Sequence, residues 1–357
     1  MTAAVALSGG VDSSVAALLL RKSGYRIIGI YMRLWDSEHS LQQQNQAEHV
    51  CHILNIPFHI ADLHREFEHH VVNYFCQEYQ QGRTPNPCIA CNQYVKFGFL
   101  LQKALSLGAD YLATGHYARI EHSEDSYLLL KAEDTSKDQS YFLYTLSQEK
   151  LRYILFPIGS YTRAMVNQIA KQEGLPPLSR PSQDICFISH KNYHSFLSQR
   201  FSITPGDITD TRGRILGHHR GIAFYTVGQR HGLGLSCSKP LYVIRIKPEN
   251  NEVILGSENE LYSQGVIVRD LKWITGEAPR GPIAVTAKIR YKSKETAATL
   301  SLEGSSPDIW FSQPQRAVTP GQAIVFYQGN KVLGGGIIES SQLTTLDNEK
   351  NEYITAA

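Results

Sequence analysis

The sequence predicts an α/β domain built on a parallel sheet, followed by a small β-rich domain and a C-terminal β-barrel. Three observations predict it. Residues 3–32 run apolar strand, glycine turn, periodic helix, apolar strand. That alternation continues to about residue 195, and after Phe201 it gives way to short alternating runs between Gly and Pro turns. The 357 residues also exceed one ordinary domain of ~100–200.

Residues 3–7 (AAVAL) form an apolar run that stops at Ser8-Gly9-Gly10. Val11, Val15, Leu18 and Leu19 then recur at helical spacing, and Arg26–Met32 reads as a second buried strand. A βαβ unit of this length places its strands parallel. Residues 45–56 read as helix, Pro57–Ile60 as strand, His64–Gln81 as helix, and Val95–Leu107 as a helix stopped by Gly108. Asp110–Thr114 is a further buried strand ending in Gly115-His116. The middle stretch predicts strands at Ile222–Val227, Leu241–Ile246 and Val253–Leu255. The last predicts them at Gly265–Trp273, Ile283–Tyr291, Thr296–Leu302, Ala323–Gln328 and Lys331–Ile338, dense enough for a small barrel. The domains are therefore expected at 1–195, 196–260 and 261–357, with a polar tail after Leu346 that frays.

Hydrophobic residues are 42% and charged residues 19%, a globular composition. A net charge of +2 does not by itself argue for nucleic acid. Residues 1–195 hold 18 acidic and 17 basic residues, whereas Arg269–Lys331 holds nine basic and five acidic, so any basic surface is local and late. No basic segment followed by an apolar core opens the chain, and no run reaches 18 apolar residues, so neither export nor membrane insertion is expected. The six cysteines are then expected to be reduced thiols in the cytoplasm, and the chain to act as a monomer.

Ser8-Gly9-Gly10-Val11-Asp12-Ser13-Ser14 lies between a strand and a helix. The glycines permit a tight turn and close approach of an anion, to which the first helical N–H groups and the dipole then point. Ser8, Ser13 and Ser14 add hydroxyls. No Gly-Lys-Ser/Thr follows, so this is not a Walker A loop, and the dinucleotide G-x-G-x-x-G is absent. The pattern resembles the PP-loop of ATP pyrophosphatases. The resemblance implies ATP with Mg²⁺, held by Ala6, Leu7, Ser8, Gly9, Gly10, Val11, Asp12, Ser13 and Ser14, with Met32 and Gly115 beside the adenine nucleotide. Asp12 is either a Mg²⁺ ligand or a brace for the loop; a dedicated metal site is not expected.

Cys88 and Cys91 form C-x-x-C within Arg83-Thr84-Pro85-Asn86-Pro87-Cys88. One such pair supplies only two of the four ligands of a structural zinc. The flanking prolines predict a rigid extended loop that presents the thiols. Cys186, in Ser182-Gln183-Asp184-Ile185-Cys186-Phe187-Ile188, reads as a loop-to-strand junction. Cys51, Cys76 and Cys237 read as small buried hydrophobes, and the pairs His69-His70 and His218-His219 as surface residues.

Taken together, SGGVDSS (8–14), RTPNPC-x-x-CN (83–92), ATGHYAR (113–119), KDQSYFLY (137–144), SQDICFI (182–188), TVGQRHGLG (226–234), IRY (289–291) and VTPGQAIVFY (318–327) resemble the bacterial tRNA 2-thiouridylase family over nearly the whole chain. The resemblance implies adenylation of the C2 oxygen of wobble uridine 34 and sulfur transfer from an enzyme persulfide. Cys186 would carry the persulfide and Cys91 would be the nucleophile, leaving a Cys91–Cys186 disulfide. Asn86, Pro87 and Cys88 would line the pocket of the flipped base. His116, Lys137, Asp138, Gln139, Arg290, Tyr291 and Gln322 would contact the tRNA. Some members carry Asp where this chain has Cys88, so the general acid/base is either Cys88 as a thiolate or another group. The implied partners are tRNA and a sulfur-donor protein of a cysteine desulfurase relay.

Overall fold

The computed structural model describes residues 1–123, 126–176, 185–188, 192–235, 239–302 and 308–343. Residues 182–184 of the SQDICFI motif, Cys237 and the tail after Leu346 lie outside them.

β1 (Thr2–Ala6), β2 (Arg26–Arg33), β3 (Phe58–Asp62), β4 (Tyr111–Thr114) and a short β7 (Ile154–Leu155) form a parallel sheet in the order β3-β2-β1-β4-β7. β1 is central, and its side chains alternate between two cores, as a strand covered on both faces must. Ala3 and Val5 join α1 (Val11–Lys22), α2 (Glu38–Leu54) and the helix Arg163–Gln172. Ala4 joins the helices on the opposite face. α2 begins at Glu38 rather than at residue 45, because the Ser37 side chain caps it by accepting from Ser40 N at 3.1 Å.

Two helical regions on that opposite face each contain a π-helical stretch. His64–Phe67, Glu68–Val72 and Asn73–Gln80 follow without a break; Pro87–Ala90, Cys91–Leu100 and Leu101–Ser106 also follow one another but are kinked at Phe97 (φ −97°, ψ 16°), and the middle segment of each run is the wider one. The expected extended loop over the thiols is therefore corrected. Cys88 and Cys91 sit in a helix, because Pro87 occupies its first position and the Asn86 side chain caps it, accepting from Cys88 N at 3.1 Å.

The hairpin of β5 (Ala118–Ser123) and β6 (Ser126–Lys131) is not anticipated by the sequence reading; it leaves the first domain and pairs with the C-terminal sheet. The middle stretch forms a four-stranded sheet β10-β11-β8-β9, with β8 (Gly206–Asp210), β9 (Ile215–His219), β10 (Tyr242–Lys247) and β11 (Glu252–Gly256). The strand expected at Ile222–Val227 is instead a 3₁₀ turn, Ile222–Phe224, closed by Tyr225 N donating to Ile222 O. His219 is buried, not at the surface as expected, because its Nε2 lies 2.9 Å from Asn251 O, while His218 is exposed.

The barrel consists of β12 (Tyr262–Trp273), β13 (Ile283–Lys288), β14 (Thr296–Ser301), β15 (Asp308–Arg316), β16 (Ala323–Gln328) and β17 (Lys331–Leu343). The order β12-β15-β14-β13-β16-β17 closes through a β12–β17 pairing, which removes exposed edges. Val266, Leu300, Ile309 and Phe326 fill its core. β15 escapes a pattern search because it ends in the polar, proline-containing run Ser312–Arg316.

Candidate active site

The carboxyl edge of the parallel sheet carries the first half of the site. Gly9 takes φ = +73°, and a Cβ there would meet Gln43 O at 2.6 Å, so only glycine makes this turn. Gly10 starts α1 with no side-chain cap, and the only atom within 4 Å of a Cβ built on it is Ser8 Oγ, at 3.4 Å. No side chain caps the first amides of α1, which lie at the positive end of the helix dipole, a start that fits an oxyanion. The Ser13 and Ser14 hydroxyls donate to Gly10 O at 3.0 Å and hold the turn in shape. Gly115 closes the cradle from β4: a Cβ there would lie 2.7 Å from Ser13 N. Met32, half-buried near the end of β2, packs under the same edge. Asp12 braces the loop, accepting from the Tyr117 hydroxyl at 2.9 Å and pairing with Arg163.

The second half is a set of thiols. Cys88 and Cys186 reach solvent and Cys91 is buried; all three are free. They lie close enough to perturb one another's ionisation. Burial pushes Cys186 up to about 12 and Cys91 up to about 11, and also raises Cys88. Cys88 and Cys186 remain open to solvent even so. Lys96, five positions beyond Cys91 along the π-helical stretch, opposes the rise at all three. π-helical stretches often mark functional sites, and this one brings Cys91 and Lys96 into one electrostatic cluster. No motif marks Lys96 in the sequence; only its distance from Cys91 along a helix could have suggested it.

Cys186 is positioned by its neighbours. Phe187 inserts among Phe67, Phe75 and Phe196 at ring separations of 5.4–5.6 Å. Ile185–Ile188 is a turn, with Ile188 N donating to Ile185 O, so the expected loop-to-strand junction is corrected. Aromatic anchoring rather than sheet pairing holds this segment. Cys51 and Cys76 are buried, as expected of small hydrophobes.

His116 joins the two halves. It follows Gly115, its Nδ1 lies 2.7 Å from Thr114 Oγ1, and its Nε2 lies 3.5 Å from Lys96 Nζ. Burial, then the Lys96 charge, lower its pKa well below the ordinary range, so the ring is neutral. The step from Ser13 through Gly115 and His116 to Lys96 and the thiols is continuous.

The loop leading into the thiols is pinned by both other domains. Thr84 N donates to Pro320 O, Thr84 O accepts from Gln322 Nε2 at 2.7 Å, and Thr84 Oγ1 lies 3.0 Å from Thr226 Oγ1. A Cβ on Gly321 would lie 2.8 Å from Thr84 N, so the barrel approaches this loop at backbone contact. Among the described residues no group of three or more His, Cys, Asp and Glu could hold a metal ion, and no helix is long and apolar enough to cross a membrane.

Residues 1–190 match the tRNA methyl transferase HUP domain family, residues 194–257 its PRC-barrel domain, and residues 263–338 the aminomethyltransferase β-barrel domain. Over 353 residues the chain is 48% identical to the tRNA-specific 2-thiouridylase MnmA of Moorella thermoacetica, covering 94% of this chain and 99% of that protein. It is 49% identical over 352 residues to the protein of that name from Acetivibrio thermocellus, covering 94% of this chain and 98% of that protein. The chain belongs to the tRNA-specific 2-thiouridylase family. The word methyl transferase in the domain descriptions is a name only; the full-length relatives are thiouridylases.

The residues expected to contact tRNA divide sharply in this 2-thiouridylase family member. Lys137 and Arg290 are exposed. Asp138 is buried and accepts from Ala132 N and from the Ser140 amide and hydroxyl. Gln139 Oε1 accepts from Tyr117 N, Gln322 serves the Thr84 loop, and His116 lies between Phe97 and Phe156. Tyr291 is half-buried with its ring 4.4 Å from that of Phe142. The KDQSYFLY segment also bridges domains: Phe142 O accepts from Asn92 beside Cys91, and the Tyr141 hydroxyl donates to Ala323 O in the barrel.

Proposed function

We propose that this chain replaces the C2 oxygen of wobble uridine 34 in tRNA by sulfur, with a persulfide on Cys186 as carrier. The observation that carries the reading is the continuity of an uncapped anion cradle with a thiol cluster through Gly115 and His116. An anion cradle alone fits many ligases; three thiols beside a lysine fit sulfur transfer.

ATP, with Mg²⁺ on its phosphates, supplies the adenylyl group that makes the C2 oxygen a leaving group. The amides of α1 and the Ser8–Ser14 turn bind those phosphates, and Met32 and Gly115 flank the nucleoside. Asp12, which is paired with Arg163, would be the carboxylate offered to Mg²⁺. The outer sulfur of the Cys186 persulfide attacks C2, forming a C–S bond as AMP departs with the oxygen. The Cys91 thiolate then attacks Cys186 Sγ. The S–S bond to the transferred sulfur breaks, its electrons form the thiocarbonyl, and a Cys91–Cys186 disulfide remains. A cellular dithiol supplies the two electrons that reset the pair, and a sulfur-donor protein of a cysteine desulfurase relay reloads Cys186. Holding the persulfide on the enzyme gives it an effective concentration that free hydrosulfide lacks. Lys96 favours the thiolate at each stage and Asn86, Pro87 and Cys88 bound the base pocket. Lys137, Arg290 and Tyr291 hold the RNA outside it.

The test is mass spectrometry of tRNA with an unmodified wobble uridine after incubation with ATP, Mg²⁺ and a persulfide source. The expected result is an ATP-dependent oxygen-to-sulfur mass gain at uridine 34, lost in Cys186→Ser. AMP formation without the mass gain in the wild type would reject sulfur as the nucleophile.

A further inference from the structure

Resting on the tRNA reading above, we propose that the glycine-rich turn of the middle domain, residues 226–235, together with Lys239, is a phosphodiester-binding cradle for the tRNA backbone. The turn borders a cavity of about 520 Å³ lined by Arg230, His231, Leu233, Leu235 and Lys239 among others, with no carboxylate among the described lining residues. Two other clefts are mixed in charge. The one at the carboxyl ends of β2 and β3 holds Asp36, Asp62 and Glu66 beside its cations, and the one between the thiol helix and the barrel holds Asp270 beside Arg269 and Lys272.

The basic side chains of the cradle are also free. Arg230, His231 and Lys239 are exposed, and among the described residues their side chains have no hydrogen-bond or ion-pair partner. Arg83, Arg163 and Arg200, by contrast, are paired with Glu78, Asp12 and Glu68. A cavity with only positive charge and no internal counter-ion is built for an anion from outside.

The backbone agrees. Gly228, Gly232 and Gly234 have φ of +89°, +75° and +72°. A Cβ on Gly234 would meet nothing within 4 Å, and one on Gly232 only Gln229 Nε2 at 3.8 Å, so the peptide units are bare to an approaching phosphate. The turn is also pre-shaped. Gly228 N donates to Val243 O, Val243 N to Gln229 O, and the Gln229 amide bridges Thr226 N and His231 O at 3.1 and 2.9 Å. Its first residue, Thr226, is the one that touches Thr84 on the loop leading into the thiols. A phosphate held here is therefore in fixed register with the thiol site. That register is useful for a long polyanion that must present one base elsewhere, and a free phosphate has no use for it.

The experiment uses the full chain with Arg230→Gln and Lys239→Gln together, and measures tRNA affinity without ATP across a salt series. Removing phosphate contacts lowers the magnitude of the log K versus log salt slope by about one per contact. The expected result is a slope smaller by about two and an affinity at ~0.1 M salt lower by at least about tenfold, with ATP affinity and the thermal transition unchanged. The charge-conserving pair Arg230→Lys and Lys239→Arg should keep the wild-type slope. An unchanged affinity and slope in the glutamine variant overturns the cradle. So does a variant that binds tRNA normally but accepts sulfur more slowly from a donor protein, since the surface then belongs to that partner. Failure of the wild type itself to bind tRNA would instead reject the thiolation reading.

Discussion

The two halves of the active site are made in opposite ways. The anion cradle is nearly contiguous: residues 8–14 supply it and Gly115 closes it. The thiol site gathers residues 88, 91, 96, 116 and 186 from three separate stretches of chain. The cradle uses backbone amides, whose direction follows from where a helix starts. The thiols use side chains whose reactivity depends on what buries them. Binding an anion is thus a local property of the chain, while tuning a thiol is a property of the assembled fold.

The sharpest way to separate them is Gly9→Val. A β-branched residue at φ = +73°, with its Cβ 2.6 Å from Gln43 O, must displace the turn. ATP affinity measured by calorimetry should fall by about 100-fold, or roughly 2.7 kcal/mol. The alkylation rate of Cys186 should stay within twofold. Retained ATP affinity would show that nucleotide binds elsewhere.

The converse measurement follows Cys186 with pH. Burial raises its thiol from 9.0 to about 12, so at pH 7.5 the thiolate is scarcer than in an ordinary thiol by about 10³. Higher basicity makes each thiolate more nucleophilic and recovers about half of that in log terms. The net expectation is alkylation about 30-fold slower than for a free cysteine. Because the protonated form is the one favoured, the log rate should climb steadily from pH 7 to 10. A levelling above pH 9 would mean that the thiol titrates as an ordinary cysteine and that its surroundings do not raise it.

The same contrast explains what the sequence could disclose. The parallel sheet is legible because apolar runs as short as residues 3–7 are followed at once by glycine turns, and the cradle because its glycines and serines are consecutive. The thiol helix reads as a loop in the sequence because two prolines outweigh a cap that needs only Asn86 and Pro87 at its start. β8, β9 and β15 lack a clean apolar alternation, so strand pairing rather than residue pattern defines them. Lys96 looks like any surface lysine until the π-helical stretch and His116 place it. Asp138, Gln139 and Gln322 show the reverse, since residues expected at an RNA surface are committed to holding loops together.

Lys96 gives a smaller, more specific test. Replacing it by Met removes the cation that lowers all three thiols. Alkylation of Cys186 at fixed pH should slow, by up to about threefold. Lys96→Arg should restore most of it, and ATP affinity should not change. A profile that stays in place would confine Lys96 to its contact with His116.

The smallest effect concerns the two helix starts themselves. α1 begins at Gly10 without a side-chain cap, leaving its amides for a ligand. The thiol helix begins behind Asn86, whose side chain occupies Cys88 N, and Pro87 at its first position has no amide to offer. One helix start is left open to bind an anion; the other is closed so that it can hold Cys88 and Cys91 still. Asn86→Ala should therefore cost about 1 kcal/mol and lower the thermal midpoint by roughly 2–4 °C, while Asn86→Asp keeps the cap and the stability. Thiolation then separates capping from base contact. If Asn86 only closes the helix, the Asp variant turns over at the wild-type rate. If its amide also reads the uridine, Asp retains stability yet loses kcat/KM, because a carboxylate cannot donate to a carbonyl of the base.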